Sequence, residues 1–491
     1  HAVDLLDHHE DDEGQDHEVQ RDGDEVAVGQ HRHTGGLDGG QRGRRTGRHR
    51  AQGHEHVGEI QFAKHHAHQW HDDVAHQRVD DLAEGAADDH AHGEVHHIAF
   101  EGKFFEFTGD GHGFISFRKP PLKKRGIQGY FKNLVKKFLI EGDVELAKPF
   151  GNGHINDTFL ITNSDKTCPD YLLQRINHHI FKDVEAVVVN ISRVSNHLEA
   201  KLKGDFKTFN SVEQVLILIP TTTGVLFYKD ADGNFWRLYQ FIKDSVSYDL
   251  VTSTKQAYEA GKAFGRFQLM LADMEPNLLT ETLVDFHNIK FRLANFEKAV
   301  NDDKVGRLHE VADEITLIKE YEKFVCSLYQ MGEDGLLPKR ITHNDSKFNN
   351  ILFDKSDNVI CIIDLDTVMP GYIAYDFGDA IRSLVNTAEE DEVDLDKIDV
   401  NMALFKAYTE GYLKEAINFL TENELKSLYF AVFLFPYMQG VRFLTDYLQG
   451  DTYYKIAYSE HNLVRTKSQF QLFKQLFKQK ELIKQIILNT K

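Results

Sequence analysis

The chain has 491 residues, a formal net charge of -20 and three cysteines. This length allows two to four domains, and the acidic balance argues against nucleic-acid binding, which usually requires a basic face. The cysteines form no C-x-x-C pair, which favours a reduced, cytoplasmic protein. There is no run of 18 apolar residues and no charged start followed by an apolar stretch, so we predict neither a transmembrane helix nor a secretory signal.

The first 119 residues differ in composition from the rest of the chain. Nineteen of the 27 histidines lie at or before His112, and no Pro, Cys or Tyr precedes Pro120. A segment so poor in aliphatic residues cannot bury enough apolar surface to offset the entropy of ordering, so we predict that residues 1–119 are a disordered, low-complexity segment. Two other interpretations stay open. The histidines are a metal-binding tract, or the segment is a conceptual translation of the wrong strand, since reverse-complemented His, Asp and Gln codons encode mainly aliphatic residues.

From about residue 127 the sequence has the periodicities of a globular protein. We predict a small, mainly antiparallel sheet in a first lobe, residues 120–245. Its elements are a helix over residues 129–141, strands over 158–162, 171–176 and 215–220, a helix over 184–202, and a hairpin of 225–229 with 235–242. Two short strands also flank Gly151 and Gly153.

Helical periodicity dominates after Ser253, so residues 246–491 are assigned to a second, helical lobe. The predicted helical regions are 289–300, 308–330, 380–386 and much of 402–490. From Phe470 to Ile487, lysines lie between apolar residues, and we predict a helix docked on this lobe rather than a surface-binding amphipathic helix. The predicted fold class is α+β.

One loop in the helical lobe carries the most specific pattern of the chain. His343, Asp345 and Asn350 have the spacing H-x-D-x-x-x-x-N, and the short apolar strand that follows ends at Asp364. Phosphoryl transfer requires a carboxylate that orients and deprotonates the acceptor hydroxyl, and hard oxygen ligands for Mg²⁺ on the ATP phosphates. These residues supply both groups. Ordinary turn residues before a strand are the alternative, and the occurrence of both halves in order at this spacing disfavours it.

The globular part, roughly residues 125–491, resembles the aminoglycoside phosphotransferase/choline kinase-like superfamily. Within it, the chain resembles the bacterial N-acetylhexosamine 1-kinases. The superfamily resemblance rests on the loop and strand just described. The finer resemblance also uses the sequence words at residues 151–158, 173–177, 342–345, 363–371, 375–379 and 441–446. The resemblance implies a bilobal protein-kinase-like fold.

The resemblance further implies an ATP- and Mg²⁺-dependent kinase that phosphorylates the anomeric hydroxyl of an N-acetylhexosamine. Its partner is then a small sugar, with no nucleic acid and no membrane. The residues predicted for these roles are Asp345 as catalytic base; Asn350, Asp364 and Asp366 as Mg²⁺ ligands; Gly151, Gly153, Arg175, Gln240, Phe241 and Ile242 as ATP contacts; and His154, Asn156 and Arg442 as sugar contacts.

Several assignments leave alternatives open. Asp366 is either a second metal ligand or a structural acceptor, and Arg442 either contacts the sugar or pairs with Asp446 at i,i+4. The acidic partner of Arg175 is undetermined between Glu185 and Glu199.

The Asp376-Phe377-Gly378 sequence has the letters of the protein-kinase metal motif, but Asp364 already fills that position. We predict that Asp376 and Asp379 cap the following helix and brace the catalytic loop. For the whole protein, the alternatives are a kinase for another hexose, choline, ethanolamine or homoserine, and a non-catalytic kinase-like binding module.

Overall fold

The computed structural model describes residues 103–105, 116–118, 127–151, 155–204 and 215–490. Strands β1 (Lys103–Phe105) and β2 (Ser116–Arg118) pair antiparallel. The rest of the segment for which disorder, metal binding or wrong-strand translation was considered lies outside the described residues. Gly153 and His154, both predicted ligand contacts, lie outside them as well. None of the described helices is long and apolar enough to cross a membrane.

A six-stranded antiparallel sheet dominates the first lobe. Its strands are β3 (Val144–Pro149), β4 (Asp157–Asn163), β5 (Tyr171–Ile176), β6 (Leu218–Ile219), β7 (Tyr228–Lys229) and β8 (Phe235–Gln240). They follow the order β3–β4–β5–β8–β6, and β7 also pairs with β8. Helix α1 (Ile127–Val135) packs on one face and helix α2 (Val184–Lys203) packs on the other.

The side chains of β5 and β8 alternate between these two faces, because successive residues of a strand point to opposite sides. Trp236 belongs to the apolar cluster under α1, and Tyr239 belongs to the cluster under α2. Directly opposed residues of neighbouring strands share a face. Arg175, opposite Trp236, therefore lies on the α1 face, whereas Arg237 and its partner Gln174 lie on the α2 face.

The second lobe is mainly helical. Its helices are α3 (Thr254–Leu271), α4 (Ile289–Asp302), α5 (Ala312–Val325), α6 (Ser327–Glu333), α7 (Ile373–Leu384), α8 (Met402–Ala416), α9 (Glu422–Leu448), α10 (His461–Lys478) and α11 (Lys480–Asn489). Two short antiparallel pairs lie among them: β9 (Arg340–Thr342) with β12 (Met369–Gly371), and β10 (Ile351–Phe353) with β11 (Val359–Ile362).

Helices α3 and α8 approach each other closely at two glycines. A Cβ atom added at Gly411 would lie 2.0 Å from the backbone oxygen of Tyr258, and one at Gly261 would lie 2.1 Å from that of Tyr408. Real side chains do not reach such distances, so glycine is required at both positions. This contact fixes the position of α3. Helix α3 in turn packs against the catalytic loop, because the rings of Phe264 and Phe267 lie against that of His343.

The predicted α+β class and the bilobal arrangement are confirmed. The docked position of the C-terminal helices is confirmed too, because Leu476, Ile483 and Ile487 are fully buried. The helix predicted over residues 380–386 is wrong in its start. Helix α7 already begins at Ile373, so Asp376 and Asp379 lie inside it and do not cap it.

Candidate active site

The loop between β9 and β10 is fixed by the side chain of Asp376 from α7. One carboxylate oxygen accepts from the backbone N–H of His343 at 2.9 Å, and the other accepts from that of Asn344 at 2.7 Å. Gln268 donates to the same carboxylate at 2.8 Å, and Ser346 Oγ donates to the Asp376 carbonyl oxygen at 2.6 Å. Asp376 is fully buried. The bracing role is therefore confirmed for Asp376, whereas the carboxylate of Asp379 pairs with Arg382.

Two left-handed residues bring the catalytic loop and the end of β11 together. Asn344 has a φ of 63° and Asp364 has a φ of 60°, a conformation that is uncommon outside glycine but enriched in Asn and Asp. His343 Nε2 lies 2.9 Å from the carbonyl oxygen of Ile363, to which it donates. The N–H of Ile363 donates in turn to the carbonyl oxygen of Asn350 at 2.9 Å. The two loops therefore form one hydrogen-bonded unit.

Asp345 is held between two side chains of its own loop. Lys347 Nζ lies 2.7 Å from Asp345 Oδ1, and Asn350 Nδ2 donates to Oδ2 at 3.2 Å and to the Asp345 carbonyl oxygen at 2.8 Å. Burial raises the pKa of Asp345, but the Lys347 ammonium, His343 and the Asn350 hydrogen bond outweigh it and hold that pKa below its usual range. Asp345 is therefore ionised at neutral pH, as a group that accepts a proton must be.

Asp364 faces this loop from the end of β11. The residue is exposed overall, but its carboxyl group is crowded by protein atoms. This burial, followed by the negative charges of Asp366 and Asp345, raises the pKa of Asp364 to about 7. Among the described residues, its side chain accepts no hydrogen bond. Asn350 turns its amide nitrogen toward Asp345, which leaves its Oδ1 as an acceptor, so Asp364 and Asn350 fit a divalent cation.

The chemistry of this donor set fits Mg²⁺ better than a metal held by protein alone. In the part of the chain that the structure describes, no three His, Cys, Asp or Glu side chains form a metal cluster. Mg²⁺ is usually bound by one or two carboxylates together with water and substrate phosphates. Asp366 does not add to the set, because its Oδ1 lies 2.5 Å from Arg237 Nη1 and its Oδ2 accepts from Asn156 Nδ2 at 2.6 Å. Both oxygens of Asp366 are thus engaged within the protein, and its role as a second metal ligand, which would require one of these contacts to open, stays a prediction.

Asp364 is expected to make Mg²⁺ binding depend on pH. Its pKa in the folded protein lies above the ordinary value of 3.8. Between that value and about pH 7, the folded state therefore holds a proton that the unfolded state has lost. The stability that this proton contributes is present at low pH and is lost as the pH rises through about 7. Because Mg²⁺ favours the ionised form, its apparent affinity should fall below pH 7, approaching about tenfold per pH unit.

Thermal melts with and without Mg²⁺ check this expectation. The increase in melting temperature on adding Mg²⁺ should be larger at about pH 7.5 than at about pH 5.5, and Asp364→Asn should abolish the difference. An equal increase at both values, in both proteins, would contradict the assignment of Asp364.

Arg237 joins the sheet to the loop that contains Asp364, and the sequence analysis missed it. Its side chain is fully buried, and its Nε and Nη2 donate to Gln174 Oε1 at 3.0 and 2.7 Å. Burial disfavours the charge of Arg237, but the carboxylate of Asp366, with a smaller contribution from Asp364, raises its pKa above the ordinary value. A permanent positive charge therefore lies next to the loop that contains Asp364 and Asp366, which we call the acidic loop.

Arg175, predicted to contact the ATP phosphates, lies on the opposite face of the sheet. It forms an ion pair with Asp157, its cross-strand partner, and its guanidinium lies 6.0 Å from the ring centroid of Trp236. The acidic partner is thus neither Glu185 nor Glu199. This geometry does not support the predicted phosphate contact, and Arg237 is the cation nearer to the acidic loop.

The hinge predicted at residues 240–242 has fewer open donors than expected. The backbone N–H of Gln240 donates to the carbonyl oxygen of Ile217 at 3.0 Å, and that of Phe241 donates to Asp170 at 2.9 Å. Both amides are therefore engaged within the protein. Adenine bound here would use backbone carbonyl oxygens or the N–H of Ile242, which remains the predicted contact.

The described part of the glycine loop lies against this hinge. Gly151 has a φ of +74°, which favours glycine. The ring of the preceding Phe150 packs edge-on against that of Phe241, with centroids 5.5 Å apart. At the other end of the loop, Asn156 Oδ1 accepts from the backbone N–H of Asn177 at 2.9 Å, and its amide nitrogen is engaged as described above. Asn156 thus binds protein groups, and its predicted sugar contact would have to replace one of them.

Arg442 of α9 lies in a polar and aromatic region. Its Nη1 donates to Gln439 at 3.2 Å, and its guanidinium lies 5.8 Å from the ring centroid of Tyr454. The alternative i,i+4 pair with Asp446 is wrong. Asp446 is buried and accepts from the backbone N–H groups of residues 452–454 at 2.8, 2.6 and 2.8 Å. It thereby fixes the segment that carries Tyr454.

A second arginine, Arg292 of α4, lies near Arg442. Burial, followed by the positive charge of Arg442, lowers the pKa of Arg292 to about 10. Asp379, whose charge acts on Arg442, is ion-paired with Arg382 at 3.2 Å. Within the described residues, neither Arg292 nor Arg442 forms an ion pair with a carboxylate. The region is therefore rich in cationic hydrogen-bond donors.

The family model of the phosphotransferase enzyme family matches residues 147–413, more than half of the chain. The chain belongs to this family. The match begins in β3, ends in α8 and includes Asp345, Asn350 and Asp364. It confirms the resemblance to the superfamily, whereas the resemblance to N-acetylhexosamine 1-kinases stays a prediction.

Solved structures similar to this chain include three small-molecule kinases or phosphotransferases. An aminoglycoside phosphotransferase from Alicyclobacillus acidocaldarius is 12% identical, with 74% of this chain and 98% of that chain covered and a TM-score of 0.48. A microcompartment-associated aminopropanol kinase is 13% identical, with 72% and 98% covered and a TM-score of 0.48. A choline kinase from Cryptosporidium parvum is 14% identical, with 73% and 97% covered and a TM-score of 0.44. These identities are too low to assign an acceptor.

Sequence reasoning missed two charged residues of the site. Lys347 had a signal that was available, because it lies two residues after Asp345 inside the catalytic motif. Arg237 had none, because its contact with Asp366 joins distant parts of this phosphotransferase and appears only when β8 meets the acidic loop.

Proposed function

We propose that this phosphotransferase transfers the terminal phosphoryl group of ATP to the anomeric hydroxyl of an N-acetylhexosamine, such as N-acetylglucosamine or N-acetylgalactosamine, and forms the sugar 1-phosphate. The observation that carries the proposal is the setting of Asp345. This carboxylate is ionised, contacts Lys347 and Asn350, and sits on a loop that Asp376 fixes opposite Asp364.

The chemistry needs a base and a means of neutralising phosphate charge. The acceptor oxygen forms a bond to the γ-phosphorus while the bond to the bridging oxygen of ADP breaks, in line with the attack. Asp345 orients the acceptor hydroxyl and takes its proton. Asp364 and Asn350 would hold Mg²⁺, which when bound would supply charge neutralisation on the phosphate oxygens. Lys347, beside Asp345, adds a positive charge on the same side.

The charge around Arg442 supports a neutral acceptor over a cationic one. A choline- or ethanolamine-type site is expected to hold the cation with aromatic and acidic side chains. Here the tyrosine at 454 lies beside two arginines, Arg292 and Arg442, which repel a cation and donate hydrogen bonds to hydroxyl or acetamide oxygens. The preference for an N-acetylhexosamine over another hexose or homoserine rests on the sequence resemblance.

A panel of acceptors tests the proposal on the full chain with Mg-ATP. It contains N-acetylglucosamine, N-acetylgalactosamine, glucose, choline, ethanolamine and homoserine, with ADP release as the measurement and ³¹P NMR to locate the new ester. We expect the highest kcat/KM with an N-acetylhexosamine and an ester at the anomeric carbon. Faster turnover of choline or ethanolamine would contradict the proposal. Mg-ATP binding without turnover of any acceptor would indicate a non-catalytic binding module.

Arg442→Leu is expected to raise the KM for the sugar by about 10- to 100-fold and to leave the KM for ATP near the wild-type value. The reason is the loss of a charged hydrogen-bond donor, worth about 1.5–3 kcal/mol. Arg193→Leu is the matched control, because Arg193 donates to the carbonyl oxygen of Leu278 in a different region. Equal effects on the two KM values, or an effect of the control of the same size, would contradict a sugar contact.

A further inference from the structure

His287 lies in the turn before α4, the helix that carries Arg292 of the proposed acceptor region. It connects this turn with the catalytic loop. Its Nε2 lies 2.9 Å from the backbone carbonyl oxygen of Asn344, the residue before Asp345. A carbonyl oxygen can only accept, so Nε2 carries the proton and Nδ1 is the unprotonated nitrogen. The ring is buried and packs against those of Tyr375 and Phe435, with centroids 5.2 and 5.0 Å away.

The carbonyl oxygen that His287 holds belongs to a residue whose other polar groups are also bound. The backbone N–H of Asn344 donates to Asp376 at 2.7 Å, and its side-chain amide donates to the carbonyl oxygens of Thr342 and Thr367 at 3.2 and 3.0 Å. Asp376 therefore fixes the peptide before Asn344, and His287 fixes the peptide after it. That second peptide leads directly into Asp345 and sets the direction of its side chain.

The second ring nitrogen shows that His287 is not explained by packing alone. Among the described residues, His287 Nδ1 has no hydrogen-bond partner although it is buried. A buried acceptor without a partner destabilises a protein, so a phenylalanine or leucine would serve packing better at this position. Burial also lowers the pKa of His287 to about 3, so the ring stays neutral and keeps its single donor on Nε2.

We propose that His287 is a positioning residue for Asp345, whose Nε2–H fixes the peptide between residues 344 and 345 and thereby the direction of the base. This inference rests on the proposed function for the role of Asp345. The same stretch of chain continues into α4, which carries Arg292. One segment therefore positions both the catalytic base and part of the acceptor region.

Two substitutions separate the hydrogen bond from the ring. His287→Phe removes the donor and keeps a ring of similar size, whereas His287→Gln keeps an N–H donor near the position of Nε2. His197→Phe is the control, because His197 Nε2 lies 3.0 Å from the carbonyl oxygen of Met270 and 3.0 Å from Asp273 Oδ1, away from the catalytic loop. All three are made in the full chain and assayed with the best acceptor of the panel.

We expect His287→Phe to lower kcat by about 100-fold, since displacement of a catalytic group by 1 Å costs roughly that much. The KM for ATP should stay within about twofold of wild type, and His287→Gln should recover about tenfold of the lost kcat. The His197→Phe control should leave kcat unchanged. A kcat of His287→Phe close to wild type, or equal losses in the Phe and Gln variants, would overturn the proposal.

A second measurement keeps this inference separate from the proposed function. Wild-type protein that turns over no acceptor would contradict the proposed function, not the position of His287. The imidazole ¹⁵N NMR spectrum at neutral pH, assigned by comparison with His287→Phe, is expected to show His287 as the neutral Nε2–H tautomer. An Nδ1–H tautomer or a charged ring would overturn the positioning role whatever the turnover.

Discussion

Asp345→Asn is expected to lower kcat by about 10²- to 10⁴-fold, because general-base assistance contributes an effect of that size. The asparagine keeps the shape of the side chain but cannot take the acceptor proton, and it loses the ion pair with Lys347 at 2.7 Å. Binding of Mg-ATP should persist, since Asp364 and the Asn350 oxygen are unchanged. The measurement is steady-state turnover of the best acceptor, together with ATP binding by calorimetry.

The control for this prediction lies on the neighbouring hairpin. Asp354 closes the turn between β10 and β11, where it accepts from the backbone N–H groups of Ser356 and Asn358 at 2.7 and 2.9 Å. Asp354→Asn removes one negative charge at a similar place in the chain without touching the catalytic loop. We expect its kcat to stay close to wild type. If Asp345→Asn keeps more than about a tenth of the wild-type kcat, Asp345 is not the base.

Arg237→Met is expected to lower the free energy of unfolding by about 3–5 kcal/mol, the cost of leaving one member of a buried ion pair alone. Asp366 is buried and would lose its partner at 2.5 Å, and Gln174 Oε1 would lose the two hydrogen bonds that it accepts from Arg237. The loop that contains Asp364 would then rearrange to solvate the stranded carboxylate. We therefore expect kcat to fall together with stability.

Urea unfolding of three variants measures this effect. The double variant Arg237→Met with Asp366→Asn should regain a large part of the lost stability, because it no longer buries an unpaired charge. Lys426→Met is the control, since its ion pair with Glu422 at 2.9 Å lies on an exposed helix surface and should contribute less than about 1 kcal/mol. A loss of less than about 1 kcal/mol in Arg237→Met would show that the buried pair does not hold the loop.

The catalytic loop could be predicted because its information is local. Asp345 and Asn350 lie five residues apart on one loop, and Asp364 follows the β10–β11 hairpin, so the short separation along the chain predicts that they lie close together. The hydrogen bonds of Asn350 to Asp345 agree with that expectation. The helical lobe was predictable for a similar reason, because periodicity over a long window is a strong signal.

The positions of Arg175 and Arg237 could not be predicted, because they depend on the phase of a strand. Shifting a strand by one residue moves every side chain to the other face of the sheet. In β5, apolar residues face both α1 and α2, so the sequence does not reveal which face Arg175 takes. The start of α7 was missed because its first flanking residue, Tyr372, provides no side-chain cap.

The Asp446 carboxylate accepts hydrogen bonds from backbone N–H groups, not from side chains, in residues 452–454. The path of that segment is therefore independent of which side chains it carries. Exchange of Tyr454, which lies beside Arg442, would therefore change the side chains of the proposed acceptor region while the main-chain path is kept. Directed evolution toward new acceptors should begin with Tyr454 and leave the Asp446 carboxylate unchanged.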